Sequence, residues 1–284
     1  MTNASQFSTW EAAVAWLLDQ PERRALVRAC YYDRPPLDAA KRYWADPEWQ
    51  TLRQLLPARR GKALDVGAGM GIASYALARD GWATTALEPD PSALVGAHAI
   101  RSLAQLAAIE IEVVQEWGEG LPFPDASFDL VHARQVLHHA RDLERFCAEL
   151  HRVLKPGGML AATREHVISS AAQPPAFLQR HELHRLYGGE NAFTLARYRS
   201  ALRAGGFEIE ASPGPWESVI NYAPLTEDSL CNELISRAAR VPGGASAARA
   251  LLSRPLRPTT LRALSAIDRR PGRLHSFLCR KRAL

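Results

Sequence analysis

At 284 residues, with 47% hydrophobic and 23% charged side chains, the chain has the composition of a folded globular protein rather than a disordered or fibrous one. Its four cysteines, Cys30, Cys147, Cys231 and Cys279, form no C-x-x-C pair, which argues against a zinc ribbon or disulfide framework and predicts a reducing, cytoplasmic setting. The net charge of +5 and isoelectric point near 9.2 admit an acidic partner, but arginine is spread along the chain and dense only in "IDRRPGRLHSFLCRKRAL", so a solvated surface accounts for them.

The opening stretch "MTNASQFSTWEAAVAWLLDQ" has no basic run before its apolar residues, is interrupted by Glu11 and is too short to span a bilayer, so no targeting signal is read. A capping box from Ser8 to Glu11 predicts a helix through "WEAAVAWLLD", and helical pieces broken by Pro35, Pro36 and Pro47 carry on to about residue 55. From Lys62 strand and helix alternate. "KALDVGA" reads as a buried strand, "GIASYALARDG" as a helix and "WATTALEP" as a second strand. Asp90 and Pro91 predict an N-cap and first turn for "PSALVGAHAIRSLAQLA". Strands "IEIEVVQ" and "SFDLVHAR", the helix "DLERFCAELHRVL", a Pro-Gly-Gly stop and the strand "GMLAATREHV" follow. This order predicts an α/β fold with a doubly wound, mostly parallel sheet. A looser segment leads to a helix capped by Thr194, the strand "FEIEAS", helical patterns from about Glu227 to Asp268, and a closing strand "RLHSFLCRKR".

The stretch "LDVGAGMGIA" places Gly67, Gly69 and Gly71 just beyond the first strand, where an open parallel sheet binds its ligands. A dinucleotide fingerprint would need glycine at position 72, which is Ile72, and Asp65 ahead of the turn repels a pyrophosphate; the Walker-A pattern is absent. Glu88, at the tip of the next strand, can accept hydrogen bonds from both hydroxyls of a ribose, and Asp65 suits a cationic group such as an α-ammonium. A phosphate-free adenosyl amino acid meets both demands.

Together, "LDVGAGMGIA", "ALEPD", "EGLPFPDASFDLVHARQVLHH" and "LHRVLKPGGMLAATRE" make the region from Lys62 to His166 resemble the class I S-adenosylmethionine-dependent methyltransferases. The resemblance implies a seven-stranded Rossmann-like sheet and S-adenosylmethionine as cofactor, leaving S-adenosylhomocysteine as product. By position it implies that Asp65, Gly67, Ala68, Gly69 and Gly71 hold the methionine end and that Glu88 and Pro89 meet the ribose. It sets Trp117 and Gly118 where this family faces the adenine, with Glu116 and Glu119 as alternative carboxylates, and passes Arg134 and Gln135 under the methionine. Trp117 has a packing role as an equal alternative.

Candidates for chemistry lie at strand ends and in one loop. His139, Glu165 and His166 are expected in catalysis, and Tyr31, Tyr32, His138, Arg164, Tyr187, Glu190 and Asn191 around the acceptor. No metal is expected, because adjacent His138 and His139 cannot share a helix face as an i, i+4 pair does. The expected organisation is a helical cap over 1–55, a cofactor-binding core over 56–212 with a loop insertion at 168–192, a helical lid over 213–272 and a final core strand over 273–284. The expected function is methyl transfer to a small molecule in an enclosed pocket, by a monomer or homodimer with no membrane span. Two alternatives stand beside it. A nucleic-acid acceptor lacks the N-P-P-[YF]-type tetrapeptide after the fourth strand, and a cofactor-binding scaffold or non-methyl chemistry would use the same pocket.

Overall fold

Nearly every side chain of "KALDV", "ATTAL" and "FDLVHAR" is buried or half-buried, as in strands covered on both faces. The computed structural model describes residues 6–283, so the first five residues of the stretch read for a targeting signal, and the last residue of the closing segment, lie outside the described residues. The preface supplies α1 (Trp10–Leu18), α2 (Arg24–Ala29), α3 (Pro36–Ala45) and α4 (Pro47–Leu55). Next come β1 (Lys62–Val66), α5 (Ile72–Arg79), β2 (Ala83–Leu87), α6 (Ala97–Ala107), β3 (Ile111–Val114), β4 (Phe128–Arg134), α7 (Leu143–Val153) and β5 (Leu154–Ile168). Two short helices, α8 (Pro174–Arg180) and α9 (Glu182–Leu186), precede β6 (Phe193–Thr194), α10 (Leu195–Ala204) and β7 (Phe207–Ala211). Four more, α11 (Val219–Tyr222), α12 (Glu227–Ala238), α13 (Gly244–Leu251) and α14 (Arg257–Ile267), separate β7 from β8 (Arg273–Lys281).

The strands lie in the order β3-β2-β1-β4-β5-β8-β7, with β6 paired to the far end of β5. All pairings are parallel except those of β8, which runs antiparallel to both β5 and β7. From β1 the chain first builds outward through β2 and β3 and then returns to build through β4 and β5. The direction of winding therefore switches between β1 and β4, and the crevice of the fold opens there. One face of the sheet packs on α5 and the preface through Leu17, Tyr43, Trp49, Leu52 and Leu77. The other packs on α7 and α10 through Phe146, Leu150, Tyr198 and Leu202. The helices between β7 and β8 have a small core of their own around Leu230, Cys231, Leu252 and Leu261.

Local chemistry moves several predicted boundaries. Thr9, one residue beyond the expected Ser8, caps α1 by accepting the Ala12 N–H at 3.2 Å, and Glu11 turns away to accept the Leu94 N–H at 3.0 Å. Helix α6 starts six residues later than the Asp90 cap predicts. The Asp90 side chain accepts the Ser92 N–H and its carbonyl accepts the Ala97 N–H, closing a loop over 90–96. Only glycine fits at 96, since a Cβ there would stand 2.2 Å from the Asp90 carbonyl oxygen. Pro156, Gly157 and Gly158 lie inside β5 instead of stopping α7, which ends at Val153. The 168–192 segment holds α8 and α9 where a loop was expected.

The C-cap of α6 is Ala108 at φ 51° and ψ 46°, a left-handed conformation that costs a residue with a Cβ energy that glycine avoids. Ala108→Gly is expected to raise the unfolding free energy by about 0.5–1 kcal/mol after the entropy of glycine is set against it. Urea titration checks this, and a loss of stability would contradict the cap geometry.

Candidate active site

Beyond Val66 the chain turns through Gly67 to Gly71 into α5. Gly67 has φ +62°, and a Cβ on it would stand 2.7 Å from a methyl of Val136, so a side chain is excluded by conformation and by space. The turn is pinned to β2 twice. Ala68 donates its N–H to the Leu87 carbonyl at 3.1 Å, and Gly69 donates its N–H to Glu88 Oε2 at 2.7 Å. Glu88 Oε1 accepts the Asp90 N–H at 2.9 Å. Burial pushes this carboxyl up to about 7, against the pull of the two backbone N–H groups. Trp10 of α1 roofs the turn, its ring 3.4 Å from where a Gly69 Cβ would sit, and its indole N–H donates to the Tyr32 hydroxyl at 3.2 Å. A carboxylate has about four acceptor positions, so Glu88 keeps two beyond its backbone bonds. Bare turn backbone, an aromatic roof and a buried carboxylate with acceptor capacity to spare fit a ribose joined to an uncharged base, and they repel phosphate.

Asp65 is placed differently from its sequence expectation. It is buried beneath the turn, where Oδ2 accepts the Ser74 hydroxyl at 2.6 Å and Oδ1 pairs with His132 Nδ1 at 2.8 Å. The parallel register of β1 on β4 sets Asp65 beside His132. Asp65 therefore ties β1 to the first turn of α5 and to β4, as a positioning residue for the glycine turn. Pro89 is half-buried beside Glu88. Gly118 is pressed on the Phe146 ring, and Trp117 is 67% exposed with the Arg141 guanidinium 6.0 Å from its ring. The Trp117 ring therefore does not fill a core. Glu119 accepts the Asp142 N–H at the start of α7, and Glu116 accepts the N–H of Trp117.

Arg134 and Arg164 meet a partner the sequence did not single out. Glu48 of α4, 1% exposed, receives Arg134 Nε at 2.6 Å and Nη2 at 3.0 Å, while Arg164 Nη1 lies 3.4 Å from its second oxygen. Burial alone would push the Glu48 carboxyl up, but the Arg134 and Arg164 guanidiniums hold it below its ordinary value. Arg134 also donates to Gln135 Oε1 and lies over the rings of Tyr31 and Tyr43 at 5.8 and 5.4 Å. Arg164 reaches the Ile220 carbonyl of α11 at 2.9 Å. Tyr31, Gln135 and Arg164 are all left-handed non-glycine residues, at φ 61°, 57° and 60°, so backbone strain gathers at this junction of preface and strand ends.

A histidine cluster occupies the ends of β4 and β5. A 3-10 turn, Leu137–His139, follows β4 because Glu165, fully buried, accepts the N–H groups of Val136, Leu137 and His138. Glu165 also accepts His138 Nδ1 at 2.8 Å, so it positions the turn and has no face open to a substrate. His138 Nε2 meets Glu190 Oε2 at 3.1 Å. Burial pushes the His138 imidazole down, but the Glu165 and Glu190 carboxylates outweigh it and raise the pKa to about 9. His139 is exposed and turns Nδ1 to the Gly189 carbonyl at 2.9 Å. His166 turns Nδ1 to the Gly272 carbonyl at 3.2 Å, and burial with the neighbouring His138 pushes it down to about 3. Of Tyr187, Glu190 and Asn191, Glu190 enters this cluster, and His181 of the same segment joins it with its ring 5.1 Å from that of His166. Tyr187 is 41% exposed, and Asn191 closes a local turn on Ala192. Tyr31 and Tyr32 are buried within the preface, one against Arg134 and the other against Trp10. Sequence reasoning missed Glu48, Trp10 and His132, all of which act across more than twenty residues of chain.

These features define a Rossmann-like protein built to hold an adenosyl group at its winding switch. Residues 64–162 match the family described as "Methyltransferase domain". An uncharacterized methyltransferase of Synechocystis sp. is 30% identical over 165 residues, covering 57% of this chain and 69% of that protein. The 27-O-demethylrifamycin SV methyltransferase of Amycolatopsis mediterranei is 31% identical over 186 residues, covering 60% and 66%. For a methyltransferase of Mycobacterium sp. (strain JLS) the aligned part is 41% of that protein. Among solved structures, the [4+2]-cyclase SpnF is similar with a TM-score of 0.54 and 22% identity, over 84% of this chain and 81% of that one. An S-adenosylmethionine-dependent methyltransferase from Mesorhizobium loti gives 0.52 and 19%, over 82% and 97%. The chain belongs to the class I S-adenosylmethionine-dependent methyltransferases. Its cofactor is S-adenosylmethionine.

One consequence is a pH dependence of cofactor affinity. A ribose whose hydroxyls donate to Glu88 requires the ionised carboxylate, and in the free protein that carboxyl sits at about 7. Affinity for S-adenosylhomocysteine is expected to tighten as pH rises from 5.5, by close to tenfold per unit well below 7, and to level off above it. The sign for folding is opposite. A folded-state value above the unfolded one means that stability of the free protein falls as pH rises toward 7, and a bound adenosyl ligand offsets that fall. Calorimetric titrations across this range check the first effect, and a flat profile would remove Glu88 from the contact.

Proposed function

We propose that the enzyme methylates a small organic acceptor enclosed between the strand ends and three additions to the core. The observation that carries this reading is the convergence of all three additions on β4 and β5. The preface brings Glu48 to Arg134, the 168–192 segment brings Glu190 to His138, and the helices after β7 bring the Ile220 carbonyl to Arg164. A site closed from three sides takes a compact acceptor more readily than a polymer. The names of similar proteins support the size class: one acts on a demethylrifamycin, and a ubiquinone biosynthesis O-methyltransferase of Azorhizobium caulinodans is 27% identical over 166 residues.

S-adenosylmethionine supplies an electrophilic methyl on sulfonium. The chain's own part is alignment and exclusion of water. Glu88 and the backbone of Gly67 to Gly69 fix the ribose and methionine portions, with Trp10 and Tyr32 above them. Arg134 and Arg164 exceed the charge of Glu48 by one and suit the methionine carboxylate. The exposed Trp117 ring offers a face to the adenine. The acceptor sits against His138, His139, His166 and Glu190, and any proton it loses leaves through this cluster, with Glu165 holding His138 in place. Where the acceptor is a hydroxyl, His139 is the reachable imidazole. Free thiols at Cys30, Cys147, Cys231 and Cys279 support a reducing, cytoplasmic location. Among the described residues no helix is long and apolar enough to cross a membrane.

Incubation of the full chain with methyl-labelled S-adenosylmethionine and a cell extract divided into small metabolites and RNA tests the reading. Label in a small molecule, with one S-adenosylhomocysteine per methyl, is expected. Label confined to RNA, or turnover of the acceptor without label, would replace it.

A further inference from the structure

Adjacent histidines cannot share a helix face, but the 3-10 turn brings the His138 and His139 rings to 4.1 Å between centroids, and a loop fifty residues later adds a carboxylate. One ring nitrogen from each histidine and one Glu190 oxygen lie within 4.8 Å of one another. Ligand atoms about 3.4 Å apart surround a tetrahedral ion with bonds of about 2.0–2.1 Å, so a closure of at most about 1.4 Å completes the set. Around them stands the support that metal-binding histidines use. His139 Nδ1 faces the Gly189 carbonyl at 2.9 Å, which fixes its proton on Nδ1 and leaves its Nε2 lone pair free, while His138 Nδ1 faces Glu165 at 2.8 Å and its Nε2 meets Glu190 at 3.1 Å, so an ion would take the place of the proton between those two. A second trio, His166, His181 and Glu190, shares the carboxylate, and His166 has such support from the Gly272 carbonyl, but His181 does not. His181 Nδ1 accepts the His184 N–H at 3.3 Å, so its proton sits on the nitrogen nearer Glu190. Exposure grades from buried His138 through half-buried Glu190 to exposed His139, which leaves an entry path.

We infer that His138, His139 and Glu190 bind one divalent transition cation of the zinc class, with a fourth position open toward the acceptor. Two imidazoles and one carboxylate with a free position are a ligand set that suits a Lewis-acidic ion, which lowers the pKa of an oxygen bound to it. With the ion in place the His139 lone pair is occupied, and activation of an acceptor hydroxyl passes to the ion. The inference does not depend on the methyl-transfer reading, because the ion is bound or not whatever the acceptor.

The test uses the full chain, stripped with a chelator and titrated with cobalt(II) alone, read by visible absorption and native mass spectrometry. One equivalent per chain with tetrahedral-type absorption is expected. His139→Ala, at an exposed position that leaves the fold intact by circular dichroism, and Glu190→Gln should each weaken binding at least 100-fold. His181→Asn should change it by less than about threefold. Absence of saturable binding overturns the inference. So does wild-type affinity in His139→Ala, or loss in His181→Asn alone, which would move the ion to the second trio. Methyl transfer measured in parallel on stripped protein separates the two readings, since either can fail while the other stands.

Discussion

Glu88→Ala is expected to weaken binding of S-adenosylhomocysteine about 100-fold at pH 8, read by titration calorimetry. The structure gives Glu88 two backbone donors, Gly69 and Asp90, which leaves two acceptor positions open, the number that the two hydroxyls of a ribose need. Hydrogen bonds to an ionised group contribute about 1.5–3 kcal/mol each, and water takes over part of the lost pairing, so a net loss of about 3 kcal/mol, close to a hundredfold, follows. Glu88→Gln keeps one acceptor oxygen without the charge and should lose about tenfold. The free protein should respond in the opposite sense. Burial opposes the Glu88 charge, so Glu88→Gln should melt no lower than the parent at pH 8. An affinity within threefold of the parent for Glu88→Ala would remove the carboxylate from the cofactor site.

Glu48→Ala is expected to destabilise the fold by about 3–5 kcal/mol, the usual consequence of removing one partner from a buried ion pair. Arg134 and Arg164 would be left at buried strand ends without their carboxylate, and α4 would lose its polar tie to β4. Denaturant unfolding at pH 7.5 measures the loss, and a change under 1 kcal/mol would mean that solvent reaches the pair. The pairing also sets a pH limit. Glu48 is held below its ordinary value, so its contribution is full above the unfolded carboxylate range and disappears as pH falls through the lower folded value. Replacing Glu48, Arg134 and Arg164 together by apolar residues of similar volume should recover much of the stability, because the desolvation of all three charges disappears with them. Such a variant would show whether the preface is held by this tie or by Trp49 and Leu52 packing beneath it.

The agreement between sequence and structure is closest where the signal is local. The alternation from Lys62 to Val167 produced the strands and helices of the core, because hydrophobic periodicity and turn residues act over a few positions. Glycine at 67, 69 and 71 marked the turn for the same reason. Boundaries moved where a side chain found a partner elsewhere: Glu11 left its capping box for Leu94, and Asp90 closed a loop where a helix cap was expected. Proline and glycine at 156–158 read as a stop, but β5 absorbs them as an irregularity in its pairing with β4, between Leu154 opposite Phe128 and Met159 opposite Leu130.

The fold and the glycine turn lay in the sequence itself, since the residues that make the turn and the tip of β2 are close in the chain and the turn's pattern argues against phosphate without reference to any distant group. Only the tertiary structure decided how the charges are paired. Asp65 went to Ser74 and His132, Arg134 to Glu48 across 86 residues, and His138 to Glu190 across 52. Buried charges take whichever complementary partner the packing of the chain delivers, and that packing joins segments whose spacing along the sequence carries no record of the encounter.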